Sequence, residues 1–177
     1  MVSFKCLLSV AVFFLASFLF FNCCHADEAL IDSVCKESQD YDFCTSTIKN
    51  HARSPTADLH GLALIAASQT VSQIQDTLDR IPTILKQVQD PLGKQRLGDC
   101  QTEYNTSLGK FQSAFGSTSN KAYWDALTFV KDGTNTVIDC HNSYRRDGPI
   151  ATSPIAEDDD KVFKLSEIIL IIIDRLI

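Results

Sequence analysis

The chain has 177 residues, of which 45% are hydrophobic and 21% are charged, a composition typical of a globular domain with a sizeable core. It contains only seven glycines and five prolines, which excludes collagen-like and low-complexity linker proteins. The formal net charge is -6, and the largest basic cluster is the pair Arg145 and Arg146. Because nucleic-acid binding needs a clustered basic surface that releases counterions from phosphates, this sequence excludes a nucleic-acid partner.

The first 26 residues have the features of a secretory signal peptide. Lys5 is the only charged residue in this segment, an apolar run covers residues 7–21, and small side chains lie just before Asp27, where a signal peptidase cleaves. At about 1.5 Å per residue, a helix over this run spans roughly 22 Å, less than the roughly 30 Å hydrocarbon core of a membrane. We therefore expect residues 1–26 to be removed and residues 27–177 to form one secreted domain without a membrane segment.

Four of the seven cysteines remain after this leader is removed: Cys35, Cys44, Cys100 and Cys140. An even number of cysteines in an oxidising compartment indicates disulfides. Four cysteines allow three pairings, and sequence proximity favours Cys35 with Cys44, which leaves Cys100 for Cys140. A zinc site is the alternative, but no two of the four have the two-to-four-residue spacing of zinc ligands.

Two short helices are predicted at the start of the mature chain. Apolar residues recur at intervals of three and four over residues 27–38 and 42–52, the pattern of helices that bury one face. A disulfide between Cys35 and Cys44 would staple the two helices into a hairpin, which would be only marginally stable alone. We expect this hairpin to occupy residues 27–53.

Four longer helices are predicted within residues 54–177. Each has an apolar stripe with helical spacing, and three of them begin with a capping residue followed by proline, a common helix start. Short turns force neighbouring helices to be antiparallel, which predicts an up-down-up-down four-helix bundle. The fold class is therefore all-α, with the stapled hairpin preceding the bundle. The helices are expected over residues 54–88, 90–116, 120–146 and 153–176.

Two local features of these helices bear on stability. Gly133 lies inside the third bundle helix and is expected to cost roughly 1 kcal/mol relative to alanine. The acidic run at residues 157–160 falls in the first turn of the fourth helix, where the positive end of the helix dipole favours carboxylates. Calcium binding is the alternative for this run, but a calcium site needs oxygens wrapped around one centre in a loop.

No catalytic, metal or cofactor site is indicated in the mature chain. Its histidines, His51, His60 and His141, are isolated, and the sequence has no H-E-x-x-H, G-x-S-x-G or glycine-rich phosphate loop. His141 lies on an apolar stripe and is expected to be a packed core residue. Asp99 and Glu103 lie one turn apart and are expected to be solvated. The sequence predicts a protein that is not an enzyme.

One sequon for N-glycosylation is present, at Asn105-Thr106-Ser107. It falls on the second bundle helix, next to the predicted core residue Tyr104. A glycan can be attached there only if the Asn105 side chain points outward.

Four segments of the chain resemble, in the same order, landmarks of the plant invertase and pectin methylesterase inhibitor family. They are YDFC at residues 41–44, TADLHGLA at residues 56–63, DCQTEY at residues 99–104, and the stretch from Ser153-Pro154 to Ser166. The resemblance covers essentially all of the mature region. Within the family, these sequence motifs are most similar to those of the invertase-inhibitor-type proteins, a group that includes a plane pollen allergen.

The resemblance implies a fold, a disulfide pattern and a function. It implies a stapled hairpin before a four-helix bundle, with disulfides joining the first cysteine to the second and the third to the fourth. It further implies an inhibitor that lays its bundle into the substrate cleft of a cell-wall or vacuolar enzyme. The expected target is acid invertase, and pectin methylesterase is the alternative. We expect the protein to act as a monomer in the apoplast or cell wall, or in the vacuole.

The residues at the start of the third bundle helix depart from the family pattern. Well-known invertase inhibitors carry Pro-Lys-Phe there, where this chain has Lys121-Ala122-Tyr123. The threonine that pectin methylesterase inhibitors carry before the third-helix cysteine is also replaced, by Asp139. We predict that Lys121, Tyr123 and Trp124 contact the target. In that hypothesis the lysine pairs with acidic groups in the cleft, and Trp124 occupies the place of a sugar ring.

Two other functions are compatible with a small secreted helical protein. A ligand carrier would need a cavity of roughly 300 Å³ or more inside the bundle, whereas the large apolar residues of the four stripes suffice to fill it. A storage or allergen-like protein would need no target.

Overall fold

The computed structural model describes residues 28–146 and 148–177, so the predicted signal peptide at residues 1–26 lies outside the described residues. All regular secondary structure in the described part is helical, which confirms the all-α prediction. The helices are α1 (28–35), α2 (Tyr41–Lys49), α3 (Leu59–Gln87), α4 (Pro91–Ser119), α5 (Tyr123–Arg146) and α6 (Ala156–Asp174), with one 3-10 turn at Ser54–Thr56 between α2 and α3.

The long helices α3 to α6 form the predicted four-helix bundle. Helix α3 packs against α4 and α6, and α5 packs against the same two helices, so α4 and α6 lie at opposite corners. The α4–α5 turn, the start of α3 and the chain end after α6 therefore meet at one end of the bundle. The Cys100–Cys140 disulfide joins α4 to α5, with the two Cα atoms 4.6 Å apart.

Helices α1 and α2 form the stapled hairpin, and the Cys35–Cys44 disulfide brings their Cα atoms to 5.5 Å. Both disulfide pairings expected from the family resemblance are confirmed. The hairpin is fixed to α6 by polar contacts, among them the Ser38 hydroxyl, which donates a hydrogen bond of 2.9 Å to Glu167. At the end of α6, Arg175 donates to the Ser33 carbonyl at 2.6 Å.

The first bundle helix begins later than the sequence pattern predicts. Ser54 and Pro55 start only the 3-10 turn, and α3 begins at Leu59. Its N-cap is Asp58, whose carboxylate accepts a 2.8 Å hydrogen bond from the Gly61 amide, one of the donors that a helix start leaves without a partner. The equivalent prediction for the second helix is correct, because Asp90 accepts a 2.7 Å bond from the Gly93 amide.

Other helix boundaries also differ from the prediction. Helix α5 begins at Tyr123 and not at residue 120, because residues 120–122 close the turn after α4. Helix α4 runs past Gly116 to Ser119, because a glycine with an ordinary helical backbone does not by itself end a helix. Helix α6 begins at Ala156, after Ser153 has accepted a 3.2 Å hydrogen bond from the Ile155 amide. Ser153 therefore caps the turn that leads into α6.

Gly133 lies on α5 where the Phe111 ring of α4 packs directly against its backbone. It is buried, and a Cβ atom built on it would lie 2.8 Å from two ring carbons of Phe111. The Ser107 hydroxyl also donates a 2.9 Å hydrogen bond to the Gly133 carbonyl. The expectation that alanine would improve this position is wrong, because the gain in helix propensity is outweighed by a clash with an aromatic ring.

The bundle interior is filled with large side chains from all four long helices. Aromatic and branched aliphatic residues of all four helices are buried, and α6 supplies four buried isoleucines in its second half, Ile168, Ile169, Ile172 and Ile173. The largest fully buried side chains of the bundle are Tyr104, Phe111, Leu62, Ile65, Ile74, Ile81, Leu97, Ile155, Ile168, Ile169 and Ile172. No helix within the described residues is long and apolar enough to cross a membrane.

Candidate functional site

The turn between α4 and α5 has the hydrogen bonds of a Schellman motif. The Ala122 amide donates to the Ser117 carbonyl and the Lys121 amide donates to the Thr118 carbonyl, both at 2.9 Å. These two bonds satisfy carbonyls that the end of α4 would otherwise leave without partners. They require a left-handed residue directly after the cap residue, Asn120.

Lys121 occupies that left-handed position, with φ of 58°. It is the only residue other than glycine with positive φ in the described part of the chain. An L-residue in this conformation costs roughly 1 to 2 kcal/mol, and glycine is the usual occupant. The Lys121 side chain is exposed and forms no ion pair with any described residue. Backbone strain at an exposed cation is an observation that points to a function outside the fold.

The structure brings Lys121, Tyr123 and Trp124 together on the same end of the bundle. They line a surface groove of roughly 380 Å³, whose other wall is formed by the chain end at Leu176 and Ile177. Trp124 is 68% exposed, so its indole projects from the surface and does not cover a neighbouring helix. The groove contains an exposed cation, an indole and the apolar residues Leu176 and Ile177, together with one acidic side chain, Asp125. An exposed aromatic residue beside a cation is a feature of interface anchors.

Tyr123 differs from its two neighbours because it is partly buried. Its hydroxyl lies 3.2 Å from Nδ1 of His60, and the two rings meet edge to face with centroids 6.1 Å apart. His60 belongs to the first turn of α3, so this contact ties the start of α5 to the start of α3. Tyr123 therefore ties the α4–α5 turn to the start of α3, while the side chains of Lys121 and Trp124 are exposed.

A cluster of polar side chains lies inside the bundle, away from the groove. It is centred on Asp159, which has no solvent exposure. The Tyr104 hydroxyl donates a 2.7 Å hydrogen bond to its Oδ1, and Nδ1 of His141 lies 3.3 Å from its Oδ2. Burial raises the pKa of the Asp159 carboxyl to about 6, although the hydrogen bonds from Tyr104 and His141 act in the opposite direction. Burial and the neighbouring Asp159 also raise the pKa of Tyr104.

The acidic run at residues 157–160 is therefore not a uniformly solvated helix start. Asp158 is also buried, and it accepts hydrogen bonds from Arg80 at 2.5 Å and from the Gln73 side-chain amide at 3.1 Å. Extending the apolar stripe of α6 backwards from Val162 by three or four residues places Asp159 and Asp158 on the buried face. That spacing is the sequence signal that would have identified them.

The geometry of the Asp159 group is that of a structural network, not of a reaction centre. Tyr104 and His141 satisfy its carboxylate, and the Cys140 sulfur of the α4–α5 disulfide lies 3.9 Å from Oδ1. The Asp159 side chain has no solvent exposure, so a substrate could not reach it. Among the described residues, including this network, no three His, Cys, Asp or Glu side chains are grouped so that they could hold a metal ion.

Asn105 lies at the centre of α4 with its side chain exposed. Its amide nitrogen donates a 2.7 Å hydrogen bond to the Gln101 carbonyl one turn earlier. The hydroxyl of Ser107, the third residue of the sequon, is buried against α5. The structure thus places Asn105 away from the groove at the α4–α5 turn.

Comparison with known proteins decides the family. The model for the plant invertase/pectin methylesterase inhibitor family matches residues 29–172, which is most of the chain. The chain belongs to this family. The proteins that the family name describes are inhibitors of enzymes, and this member is not an enzyme.

Two curated relatives and one solved structure illustrate the likeness. Pectinesterase inhibitor 5 of Arabidopsis thaliana is 39% identical over 148 residues, which cover 83% of each chain. A putative invertase inhibitor of Platanus orientalis is 28% identical over 170 residues, covering 93% of this chain and 94% of the relative. A crystal structure of a mutant pectin methylesterase inhibitor from Arabidopsis superposes with a TM-score of 0.69 at 19% identity, covering 81% of this chain and 95% of the other. That superposition supports the shared fold.

Proposed function

We propose that this family member inhibits pectin methylesterase. The observation that carries the proposal is the 39% identity to pectinesterase inhibitor 5, against 28% to the Platanus invertase inhibitor. The turn at Lys121-Ala122-Tyr123 also lacks the proline of the Pro-Lys-Phe pattern that the resemblance associates with invertase inhibition. Because one inhibitor fold serves two target classes, the bundle itself does not decide between them.

Acid invertase, the target expected from the sequence, is kept as the second candidate. The Platanus relative supports it, since that match extends over 93% of this chain. A helical ligand carrier is set aside, because the bundle interior is filled with large side chains and the family name describes inhibitors.

The proposed contact surface is the groove formed by the α4–α5 turn and the chain end. An indole that is 68% exposed can cover the surface on which a sugar ring would rest, and the ammonium of Lys121 can pair with acidic side chains of a cleft. Strain at Lys121 supports this choice, because a glycine would relieve the strain and remove the cation. Tyr123 holds the turn through its contact with His60.

We propose that the protein acts outside the cytosol as a secreted monomer, in the apoplast or cell wall. The leader-like segment at residues 1–26 supports secretion. The two disulfides also support it, because such bonds persist in oxidising compartments.

Titration of both enzyme classes with the same preparation tests the target assignment. Residues 27–177 would be produced with both disulfides formed and added in increasing amounts to purified plant pectin methylesterase and acid invertase. We expect pectin methylesterase activity to fall to a plateau near one inhibitor per enzyme, while invertase activity stays unchanged. Inhibition of invertase alone would overturn the assignment in favour of the second candidate, and inhibition of neither would overturn both.

Variants at the turn test the proposed surface separately from the target. Trp124→Ala and Lys121→Asn should each weaken inhibition by about 1 to 3 kcal/mol, the range of interface anchors. Asparagine is chosen because it tolerates the left-handed backbone at this position. Ile138→Ala and Lys131→Ala, exposed positions further along α5, are the matched controls and should inhibit like the unmodified chain. Unchanged inhibition by both turn variants would remove the turn from the interface.

A further inference from the structure

We propose that Asn105 carries an N-linked glycan on the outer surface of α4. Asn105-Thr106-Ser107 has the required Asn-X-Ser pattern, and the Asn105 side chain is exposed at the centre of the helix. The proposal goes beyond enzyme inhibition, since a chain without a glycan at this position could inhibit its target equally well.

The hydrogen bonding of the Asn105 side chain leaves one N–H available for attachment. A side-chain amide has two N–H groups, and Asn105 uses one of them to donate to the Gln101 carbonyl at 2.7 Å. The second N–H can be replaced by a bond to a sugar while the first keeps its hydrogen bond. The modified side chain therefore needs no change of helix geometry.

Small residues flank Asn105 on one side along α4, whereas Gln101 and Leu108 flank it on the other. Gly98 and Thr102 lie seven and three residues before Asn105, and Gly109 lies four residues after it. These spacings place all three on the same side of α4. A Cβ atom added to either glycine would meet nothing within 4 Å, so no packing contact explains these glycines, each of which costs roughly 1 kcal/mol relative to alanine. The first sugars of a glycan would lie on this side of α4 without displacing a large side chain.

The chemistry of attachment is a group transfer without oxidation or reduction. The Asn105 amide nitrogen forms a bond to the anomeric carbon of a lipid-diphosphate-linked oligosaccharide. The bond between that carbon and the diphosphate oxygen breaks, the lipid diphosphate leaves with the electron pair, and the amide loses one proton. The donor belongs to the secretory compartment in which the two disulfides would also form.

The structure also indicates when the transfer must take place. In the folded chain the Ser107 hydroxyl is buried and donates to the Gly133 carbonyl of α5 at 2.9 Å. An enzyme that reads this hydroxyl must therefore act before α4 packs against α5. The glycan would then lie about 21 Å along the axis from the end of α4 at Ser119, which leaves the groove at the α4–α5 turn accessible.

Mass analysis of the secreted protein tests the proposal. Residues 27–177 would be fused to the leader of a well-secreted host protein and produced in cultured eukaryotic cells, so that entry into the secretory pathway does not depend on residues 1–26. The protein would be taken from the medium and its mass compared before and after treatment with a peptide N-glycosidase. We expect most molecules to lose the mass of one glycan and to show Asn105 converted to aspartate.

Two variants define the site. Asn105→Gln should be secreted without a glycan, while Thr106→Ala, which changes an exposed neighbour and keeps Asn-X-Ser, should retain it. Secreted wild-type protein with an unmodified Asn105 peptide would overturn the proposal. Retention of the glycan in Asn105→Gln would equally contradict it.

Discussion

The middle of the bundle and the end that carries the α4–α5 turn use their polar groups in opposite ways. In the middle, the buried Asp159 is held by Tyr104 and His141 beside the disulfide between α4 and α5. At the end, Lys121 is exposed in a left-handed conformation, and Trp124 leaves most of its surface in solvent.

The difference separates stability from recognition. A buried polar group that has all its partners fixes how helices pack, and loss of one partner leaves the others unsatisfied in a dry interior. The left-handed backbone of Lys121 closes the turn after α4, a position that glycine usually occupies. The choice of a lysine with an exposed side chain at this strained position therefore needs a reason outside the fold. We therefore expect substitutions in the middle to change the free energy of unfolding, and those at the end to change inhibition.

Removing the Cys100–Cys140 disulfide in the middle of the bundle should have the largest effect on stability. The Cys100–Cys140 bond closes a longer loop than the Cys35–Cys44 bond of the hairpin. On the chain-entropy model, the paired Cys→Ala substitutions should lower the free energy of unfolding by about 4 and about 3 kcal/mol respectively. Urea unfolding of both variants measures this. Equal stability of the unmodified chain and the Cys100/Cys140 variant would show that the middle is not the stabilising region.

The buried carboxyl of the middle should make stability depend on pH. The pKa of Asp159 is raised to about 6 in the folded chain by burial, whereas an unfolded aspartate titrates near 3.9. Between about pH 4 and pH 6 the folded chain holds a proton that the unfolded chain has released. The contribution of this carboxyl is therefore fully present below about pH 4 and is lost as the pH rises through about 6.

The measurement is the free energy of unfolding of the unmodified chain relative to Asp159→Asn from pH 4 to pH 7. As the pH rises from 4 to 7, the free energy of unfolding of the unmodified chain should fall by about 2 to 3 kcal/mol relative to that of Asp159→Asn, because the folded and unfolded chains bind protons differently. Asp160→Asn, at the exposed neighbouring position, is the control and should follow the unmodified chain. A constant difference between Asp159→Asn and the unmodified chain would contradict the burial argument.

Two glycines distinguish the packed side of α4 and α5 from the solvent side. Gly133→Ala should lower the free energy of unfolding by about 1 to 2 kcal/mol, since the added methyl meets the Phe111 ring. Gly109→Ala should raise it by up to about 1 kcal/mol, since the methyl enters open space and improves helix propensity. Thermal unfolding of both variants checks the two signs. A stabilising Gly133→Ala would mean that α4 and α5 are further apart than the structure shows.

Much of the fold could be predicted because helical spacing, capping residues and cysteine positions are local signals. The four long helices and the cap residue at the start of the second, Asp90, are confirmed as predicted. What escaped prediction depends on contacts between distant segments. Gly133 is a poor helix residue until Phe111 is placed against it. The burial of Asp159 could be predicted from its spacing to Val162, but its partners Tyr104 and His141 could not, because they lie on other helices.

The candidate site was predictable in part. The position of Lys121 and Trp124 beside a turn followed from the break between two helical stripes. The left-handed conformation of Lys121 did not follow, because Gly116 is the nearest residue that commonly ends a helix and α4 continues through it. The groove could not be predicted either, because Leu176 and Ile177, which form its other wall, are distant in sequence from the α4–α5 turn.

The most direct test of the account is Lys121→Gly, measured for stability and inhibition on the same preparation. Glycine adopts the left-handed conformation without strain, so the free energy of unfolding should rise by about 1 kcal/mol. Loss of the cation should weaken inhibition of pectin methylesterase by about 1 to 3 kcal/mol. A variant that is more stable and a weaker inhibitor is the predicted result. A variant that inhibits as well as the unmodified chain, whatever its stability, would contradict the claim that this strained turn is kept for target binding.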